Sequence, residues 1–560
     1  MPRINFPNLF DSLIPHNKKL AVFICGILGF ILPAIYGFIA GFPIPRVQDE
    51  FAYLLGADTF SSGRWTNLTP FCWQSFEAPH LLMLPSYMSK YPPMQSLFLA
   101  AGDILFGHPI FGVWLSCGLA AAAVCWMMQG WTTRKWAFAG TLMMIFFLGI
   151  NSYWAQSYWG GMVAVFAGGL LFGGFRRLYR KINAFDTAMM TLGGAILINA
   201  RPFEGFITIF FLLVVLAVRL LKTRREAFLG ILRKVVLPGA ILTAATLGMM
   251  GLYNFKVTGN AFKMPYIIHQ QQYFSTPLFI FQNPQPRPPM GHYRLQKLSE
   301  YYTEPRFTKT IFLITELPDS NYLRPIYFFV CLMIFMPNFY LYSAFTLLLF
   351  ITLPFLLKKK KSLLLIFATI VFTFAVMSMA TFWDQYHYSA HLTCGFYLLC
   401  IETLRYFIFL CKKQKKIIYD RFAFFGVLVL VLVSFVRLSF AEDGVIRFFG
   451  NEPDQPIDFS QPLVKINKTQ EKTVFLRDQI NRMLSQTGEK YLVIVKYDPK
   501  YSFDDEIVYN LADLDNAPVV WAHYLEPEKN KALLDYYKNR KTLLIKISQS
   551  AISIEPMPLN

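Results

Sequence analysis

Leu20-Ala-Val-Phe-Ile-Cys-Gly-Ile-Leu-Gly-Phe-Ile-Leu-Pro-Ala-Ile-Tyr-Gly-Phe-Ile-Ala-Gly41 is an apolar run of 22 residues without a single charge. About 20 such residues cross the hydrocarbon core of a bilayer as a helix. Lys18-Lys19 precede the run, and the acids Asp49 and Glu50 follow it. No small-residue cleavage site closes it, so it reads as an uncleaved first span rather than a removed leader. This stretch sets the class of the whole chain, because comparable runs recur after it.

Composition agrees. The 560 residues are 55% hydrophobic and 17% aromatic but only 16% charged, against about 25% charge in an average soluble domain. Mean hydropathy is +0.39. Disorder, a disulfide scaffold and an ordinary soluble enzyme are excluded. Seven of the eight cysteines lie in or beside apolar runs, where Cys acts as a small hydrophobe, and no CxxC or His-rich spacing marks a zinc site.

The net charge of +19 is unevenly placed. Residues 441–560 hold 15 Lys/Arg and 18 Asp/Glu, a net of −3; the first 440 hold 38 and 16, a net of +22. The basic residues fall in short clusters between apolar runs, the pattern of cytoplasmic loops rather than of a nucleic-acid surface. Alternating runs with clusters predicts eleven spans: Leu20–Gly41, Ile110–Gly130, Trp136–Ile150, Met162–Phe175, Phe185–Asn199, Phe206–Leu221, Val235–Tyr253, 326–357, Ser362–Ala380, Ser389–Leu410 and Phe422–Phe440. Pro337 makes 326–357 one element or two. Met94–Gly107 is too short to cross and reads as an interfacial helix.

The expected fold is thus a mainly α, polytopic bundle over residues 1–440, N-terminus cytoplasmic, with long external loops at 42–108 and 254–325. An external α/β domain follows over 441–560. Its strands are expected at Tyr491–Tyr497, Val519–Tyr524 and Thr542–Ile547, and its helices at Val474–Gln486 and Glu526–Arg540.

Most early carboxylates fall on the external side, and chemistry is sought there. Asp49 and Glu50 sit just past the first span. They are either solvated loop acids or include a general base facing a hydroxyl acceptor. Adjacent residues point in different directions, so only one can be that base; if it is Asp49, Glu50 is expected to pair with a nearby cation such as Arg46. Downstream come Lys90-Tyr91-Pro-Pro and an apolar helix ending Leu-Phe-Gly107. On its own, Lys90 reads as a snorkelling interfacial lysine. In Asn199-Ala-Arg-Pro-Phe-Glu-Gly205, Arg201 offers a planar fork suited to phosphate, or anchors a headgroup; Glu204 lies beside it. The link 151–160 is rich in Tyr and Trp, as either an aromatic belt or a sugar platform. Thr381-Phe-Trp-Asp-Gln-Tyr-His-Tyr388 presents Asp384, His387 and Tyr388. The Pro-rich loop 254–325, with Tyr266 and His269, reads as a substrate lid.

An acid just after the first span, Lys-x-Pro-Pro and the Leu-Phe-Gly helix together resemble the GT-C superfamily of glycosyltransferases. Within it the pattern is similar to protein O-mannosyltransferases, lipid A aminoarabinose transferases and their bacterial relatives. The likeness is strong over about the first 210 residues and mostly topological to 440. It implies that Asp49 is the catalytic base and that Lys90 holds a lipid-linked phosphate. His387-Tyr388 matches a His-Tyr pair of the superfamily, although Ser389-Ala390-His391 stands where Ala-Pro is expected. On this resemblance the chain is an inverting glycosyltransferase that moves a sugar from a polyprenyl phosphate to a hydroxyl acceptor (glycan, lipid or protein) at the outer face of the bacterial inner membrane. Substrate contacts would come from Glu50, Lys90, Tyr91, Arg201, Glu204, Asp384, His387 and Tyr388. No cofactor is required, and nothing in the pattern calls for a divalent metal. A transporter or lipid flippase is the alternative. It ranks lower because such proteins place their charges at mid-membrane on broken helices.

Overall fold

The computed structural model describes residues 14–222, 228–283, 286, 292–303, 323–380, 386–413, 464–467, 473–503, 505–549 and 551–557. Its helices are α1 Lys18–Ala40, α2 Gln48–Ser61, α3 Met94–Phe106, α4 Ile110–Trp131, α5 Arg134–Leu148, α6 Met162–Arg180, α7 Ala184–Ile198, α8 Pro202–Leu221, α9 Phe228–Thr258, α10 Pro265–Tyr273, α11 Tyr293–Thr303, α12 Leu323–Lys359, α13 Leu363–Met377, α14 Thr393–Lys413, α15 Thr473–Gln486 and α16 Pro527–Tyr536. A two-residue hairpin, β1 Leu81–Leu82 with β2 Met88–Ser89, lies between α2 and α3.

Six helical stretches among the described residues are long and apolar enough to cross a membrane: α1, α4, α6, α8, α9 and the stretch Tyr386–Leu410. The chain is an integral membrane protein. The expected span at 326–357 is α12, bent by 117° between Pro325–Leu341 and Phe345–Lys359. Three more of the eleven expected runs form helices of 15 residues each, α5, α7 and α13. That is below the usual spanning length of 17 or more. Phe422–Phe440 lies outside the described residues. Met94–Gly107 forms the short helix α3.

The bundle is drawn tight by small residues, as helix contacts in lipid favour. A Cβ on Gly29 of α1 would stand 2.7 Å from that of Ala121 on α4. At the α3–α4 crossing the backbones touch: a Cβ on Gly102 would lie 2.1 Å from the Gly112 nitrogen, and one on Gly112 1.9 Å from the Phe98 carbonyl. A Cβ on Gly56 of α2 would lie 2.5 Å from the Ser96 Oγ of α3, and the Ser96 hydroxyl donates to the Tyr53 carbonyl at 2.9 Å. These glycines fix α2 against α3, and α3 against the bundle.

The C-terminal part forms one five-stranded sheet, in the order β3 (Val464–Asn467), β7 (Ala551–Pro556), β6 (Lys541–Ile547), β4 (Tyr491–Tyr497), β5 (Val519–His523). β6, β4 and β5 run parallel, while β7 is antiparallel to both its neighbours. The three parallel strands β4, β5 and β6 and both helices fall where the apolar runs place them; β3 and β7 were not expected. The sheet shares one apolar core with the loop that follows α1. Phe51, Leu55, Phe76 and Leu81 are buried with Leu492, Ile494, Val520 and Trp521, and Phe51 stacks on Tyr509 at 4.3 Å.

Candidate active site

Asp49 and Glu50 occupy the first turn of α2, where carboxylates complement the positive end of the helix dipole. One residue of helical rotation gives them different surroundings. Glu50 turns inward and is buried. Its Oε2 accepts from the backbone N–H of Arg46 (2.7 Å) and Val47 (3.1 Å), and its Oε1 from the N–H of Tyr158 (2.9 Å). Burial raises its carboxyl above the ordinary range, against the pull of those donors. The expected partnership with Arg46 runs through its backbone N–H as well as its charge. Glu50 holds the Arg46 backbone and stitches the head of α2 to the link 151–160. The Arg46 guanidinium lies over the Phe475 ring, 5.4 Å away.

Asp49 faces the other way, with about a fifth of its side chain open to solvent. Its Oδ1 accepts from the Tyr91 hydroxyl, and its Oδ2 lies 3.7 Å from His80 Nε2. Burial and the nearby Lys90 hold His80 neutral, so this is a carboxylate beside an uncharged ring and not an ion pair.

The hairpin explains why these groups meet. The Lys90 N–H donates to the His80 carbonyl at 3.0 Å, one rung beyond the β1–β2 pairing. His80 and Lys90 thus flank the hairpin's open end, and Tyr91 follows before the Pro pair starts α3. His80 has φ +67°, a left-handed conformation uncommon for a non-glycine residue and typical of positions that a site over-determines. Lys90 is buried, with its Nζ 5.1 Å from the Tyr91 and Tyr266 ring centroids and 5.9 Å from that of Phe274. Burial lowers the Lys90 ammonium to about 8, opposed by the Asp49 charge. Tyr91 lies between lysine and carboxylate and stacks on Tyr53 at 4.6 Å.

A second cation adjoins. The Met94 N–H at the start of α3 donates to the Asn199 carbonyl at 3.1 Å, which sets the 199–201 turn beside Lys90-Tyr91. Arg201 is the N-cap of α8, followed by Pro202 at its first position. Its guanidinium lies 5.1 Å from the Tyr388 ring, in electrostatic reach of Tyr53, Tyr91 and Glu204. Glu204 is buried, with Oε1 unpartnered among the described residues. His387 is buried against Tyr388 (4.7 Å) and Trp159 (4.6 Å), and its Nδ1 lies 3.3 Å from the Tyr153 hydroxyl. The 151–160 link thus bridges Glu50 to His387. Asp384 lies outside the described residues.

One constellation therefore unites Asp49, Lys90, Tyr91, Arg201, Glu204, His387 and Tyr388. Glu50 stands behind it as a brace. Sequence reading missed His80 and Tyr53 and had no role for Tyr266 or His269. His269, on α10, is fully buried with both ring nitrogens unpartnered among the described residues, 6.3 Å from His80. Only the left-handed backbone at His80 would have marked it, and that is invisible in sequence.

No family model matches the chain, and no curated protein matches it either. Solved structures do. The apo oligosaccharyltransferase of Archaeoglobus fulgidus is 10% identical with a TM-score of 0.39, over 75% of this chain and 56% of that one. The same enzyme tethered to an acceptor peptide bearing the NVT sequon gives 11% and 0.44, over 94% and 68%. Archaeal oligosaccharyltransferase AglB with an inhibitory peptide and a dolichol phosphate gives 12% and 0.41, over 94% and 69%. The chain thus spans little more than half the length of the first of these.

Proposed function

We propose that this protein is an inverting glycosyltransferase that takes a sugar from a polyprenyl-phosphate donor and passes it to a hydroxyl acceptor. The observation that carries this reading is the pairing of Asp49 with Lys90 across Tyr91. A partly exposed carboxylate, held by one tyrosine hydroxyl, stands beside a buried ammonium with no carboxylate bound to it among the described residues. A base for an acceptor and a cation for a departing phosphate are the two groups such a displacement needs.

In this mechanism Asp49 accepts the acceptor's hydroxyl proton as the oxygen attacks the anomeric carbon, and the carbon–phosphate-oxygen bond breaks on the opposite face. Lys90 and Arg201 stabilise the charge that builds on the leaving phosphate, with His387 and Tyr388 beside them. Glu204, and Asp384 beyond the described residues, orient sugar hydroxyls. The donor's lipid tail is what ties such a site to a membrane bundle. Residues 42–108, 254–325 and 441–560 face the outer side in this reading, eleven spans cross the inner membrane, and the N-terminus is cytoplasmic. Residues 1–440 form the transferase bundle and 441–560 a further domain. No cofactor is invoked.

The test is single-turnover transfer from a panel of polyprenyl-phosphate sugars by the purified protein, beside Asp49→Asn. Loss of a general base costs about 10²–10⁴ in rate, so Asp49→Asn falls by that much while still binding donor. A near wild-type rate in Asp49→Asn sinks the assignment. Net movement of intact lipid-linked sugar across vesicles, without transfer, would establish the flippase alternative.

A further inference from the structure

A cavity of about 240 Å³ lies away from Asp49, lined by His292, Tyr293, Lys496, Tyr497 and Tyr524 among others. It opens at the carboxyl ends of β4 and β5, the edge where ligands of parallel sheets settle. Tyr497 ends β4, and Tyr524 directly follows β5. The other wall is the start of α11, from the 254–325 loop.

Its floor is rigid. The Arg294 guanidinium lies 3.7 Å from the Tyr497 ring, pairs with Glu506 at 2.8 Å and donates to the Ser502 and Asp505 carbonyls. The Tyr497 hydroxyl donates to the same Glu506 carboxylate at 2.5 Å. A buried ion pair is a poor source of stability but a good fixer of geometry. The first loop locks the assembly: His523 Nε2–H donates to the Glu77 carbonyl at 2.9 Å, and the His292 N–H donates to Glu77 Oε2 at 3.0 Å. His292 and His523 stack at 4.3 Å. The Nδ1 of each is buried with no partner among the described residues. Polar atoms in that state await a ligand or a water.

The chemistry of the lining selects the occupant. Arg294, whose Nη1 is buried and unpartnered among the described residues, lies outside the lining. His292 is held neutral by burial, and Lys496, the cation of the lining, is exposed and lies 4.6 Å from the Tyr524 ring. A phosphate would find no buried cation on the cavity wall. An alkyl chain would leave the His292 Nδ1 unsatisfied. A pyranose ring offers C–H faces to tyrosines and a hydroxyl to that nitrogen, and the volume suits one ring.

We infer that this cavity is a carbohydrate subsite that seats one sugar ring of a glycan acceptor, remote from the reacting hydroxyl. The inference rests on the glycosyltransferase reading for the word acceptor, but the sugar site itself does not.

Saturation-transfer NMR on the full chain in nanodiscs, free of glycoside detergent, tests it with methyl hexosides, N-acetylhexosaminides and uronides. At least one class receives saturation, and the signal falls at least tenfold in Tyr293→Ala and Tyr524→Ala but holds in Tyr524→Phe and in Asp49→Asn. With a glycan acceptor, Tyr524→Ala raises KM about tenfold and leaves kcat unchanged. No saturation of any glycoside, or saturation indifferent to both alanine variants, overturns the subsite. Loss of the glycoside signal on adding inorganic phosphate also overturns it, in favour of an anion site. A positive sugar result beside a fully active Asp49→Asn leaves the subsite standing and removes the catalytic reading instead.

Discussion

Lys90 offers the sharpest separation of function from structure, because its two pH effects have opposite signs. The fall of its ammonium from 10.5 to about 8 corresponds, at about 1.4 kcal/mol per pH unit, to roughly 3 kcal/mol of cost for charging it in the folded protein. Between pH 8 and 10.5 the native state binds fewer protons than the unfolded chain, so stability rises as pH climbs through that window. A phosphate ligand needs the charged form, so kcat/KM for the donor falls above about pH 8, tenfold per unit once well past it, with the free enzyme's pKa read from that profile. Lys90→Met keeps the stem's packing and removes the charge. We expect a loss of about 10²-fold or more in kcat/KM, disappearance of the alkaline limb, and thermal stability at pH 7 equal to or above wild type. The assays are a pH–rate profile with saturating acceptor and thermal unfolding in the same detergent. A Lys90→Met protein that is destabilised, with its alkaline limb intact, would refute the reasoning and return Lys90 to an interfacial anchor.

Glu50→Gln places an amide N–H against one of three backbone donors, so it loses about 2–3 kcal/mol of stability on thermal unfolding; a change below about 0.5 kcal/mol would show that the brace is dispensable. Tyr91→Phe removes the hydroxyl on Asp49 but keeps the stack on Tyr53. It should lower kcat about tenfold with little change in donor KM, measured by steady-state transfer, and an unaltered kcat would take Tyr91 out of the site. Gly102→Ala forces apart backbones that touch at the α3–α4 crossing, which should cost both folding yield and activity, scored by size-exclusion profile and transfer rate. A reporter fused after residue 560 should score as external; a cytoplasmic signal would break the shared-face argument.

The outline of the fold was legible because its signals are local. A 22-residue apolar run needs no partner to declare a span, and YLVIVKY reads as a buried strand from its own composition. Legibility fell where length or distance decided. α5, α7 and α13 stop at 15 residues, so their length does not mark them as spans, and the count of eleven rests on the alternation of charge. β3 pairs with a strand far along the chain, which no local pattern announces, while β7 follows its partner β6 directly and was missed as a short strand. At the site, Asp49, Lys90 and Arg201 were visible as charges at a membrane boundary, where an unpaired ion is expensive. His80 and His269 are 189 positions apart, and only the hairpin and α10 bring their rings together.

Between Asp49 and Glu50 the sequence supplied half of the answer. Adjacent helical residues diverge, so one of the two had to face away from any acceptor. The sequence could not say where the other would go, because the Tyr158 N–H that draws Glu50 inward is 108 residues off. With the Arg46, Val47 and Tyr158 N–H groups bound to it, Glu50 is buried and presents no open face to an incoming hydroxyl. Asp49 accepts from the Tyr91 hydroxyl and keeps about a fifth of its side chain open to solvent. The same turn of helix that buries Glu50 thereby leaves Asp49 partly open, as the proposed base requires.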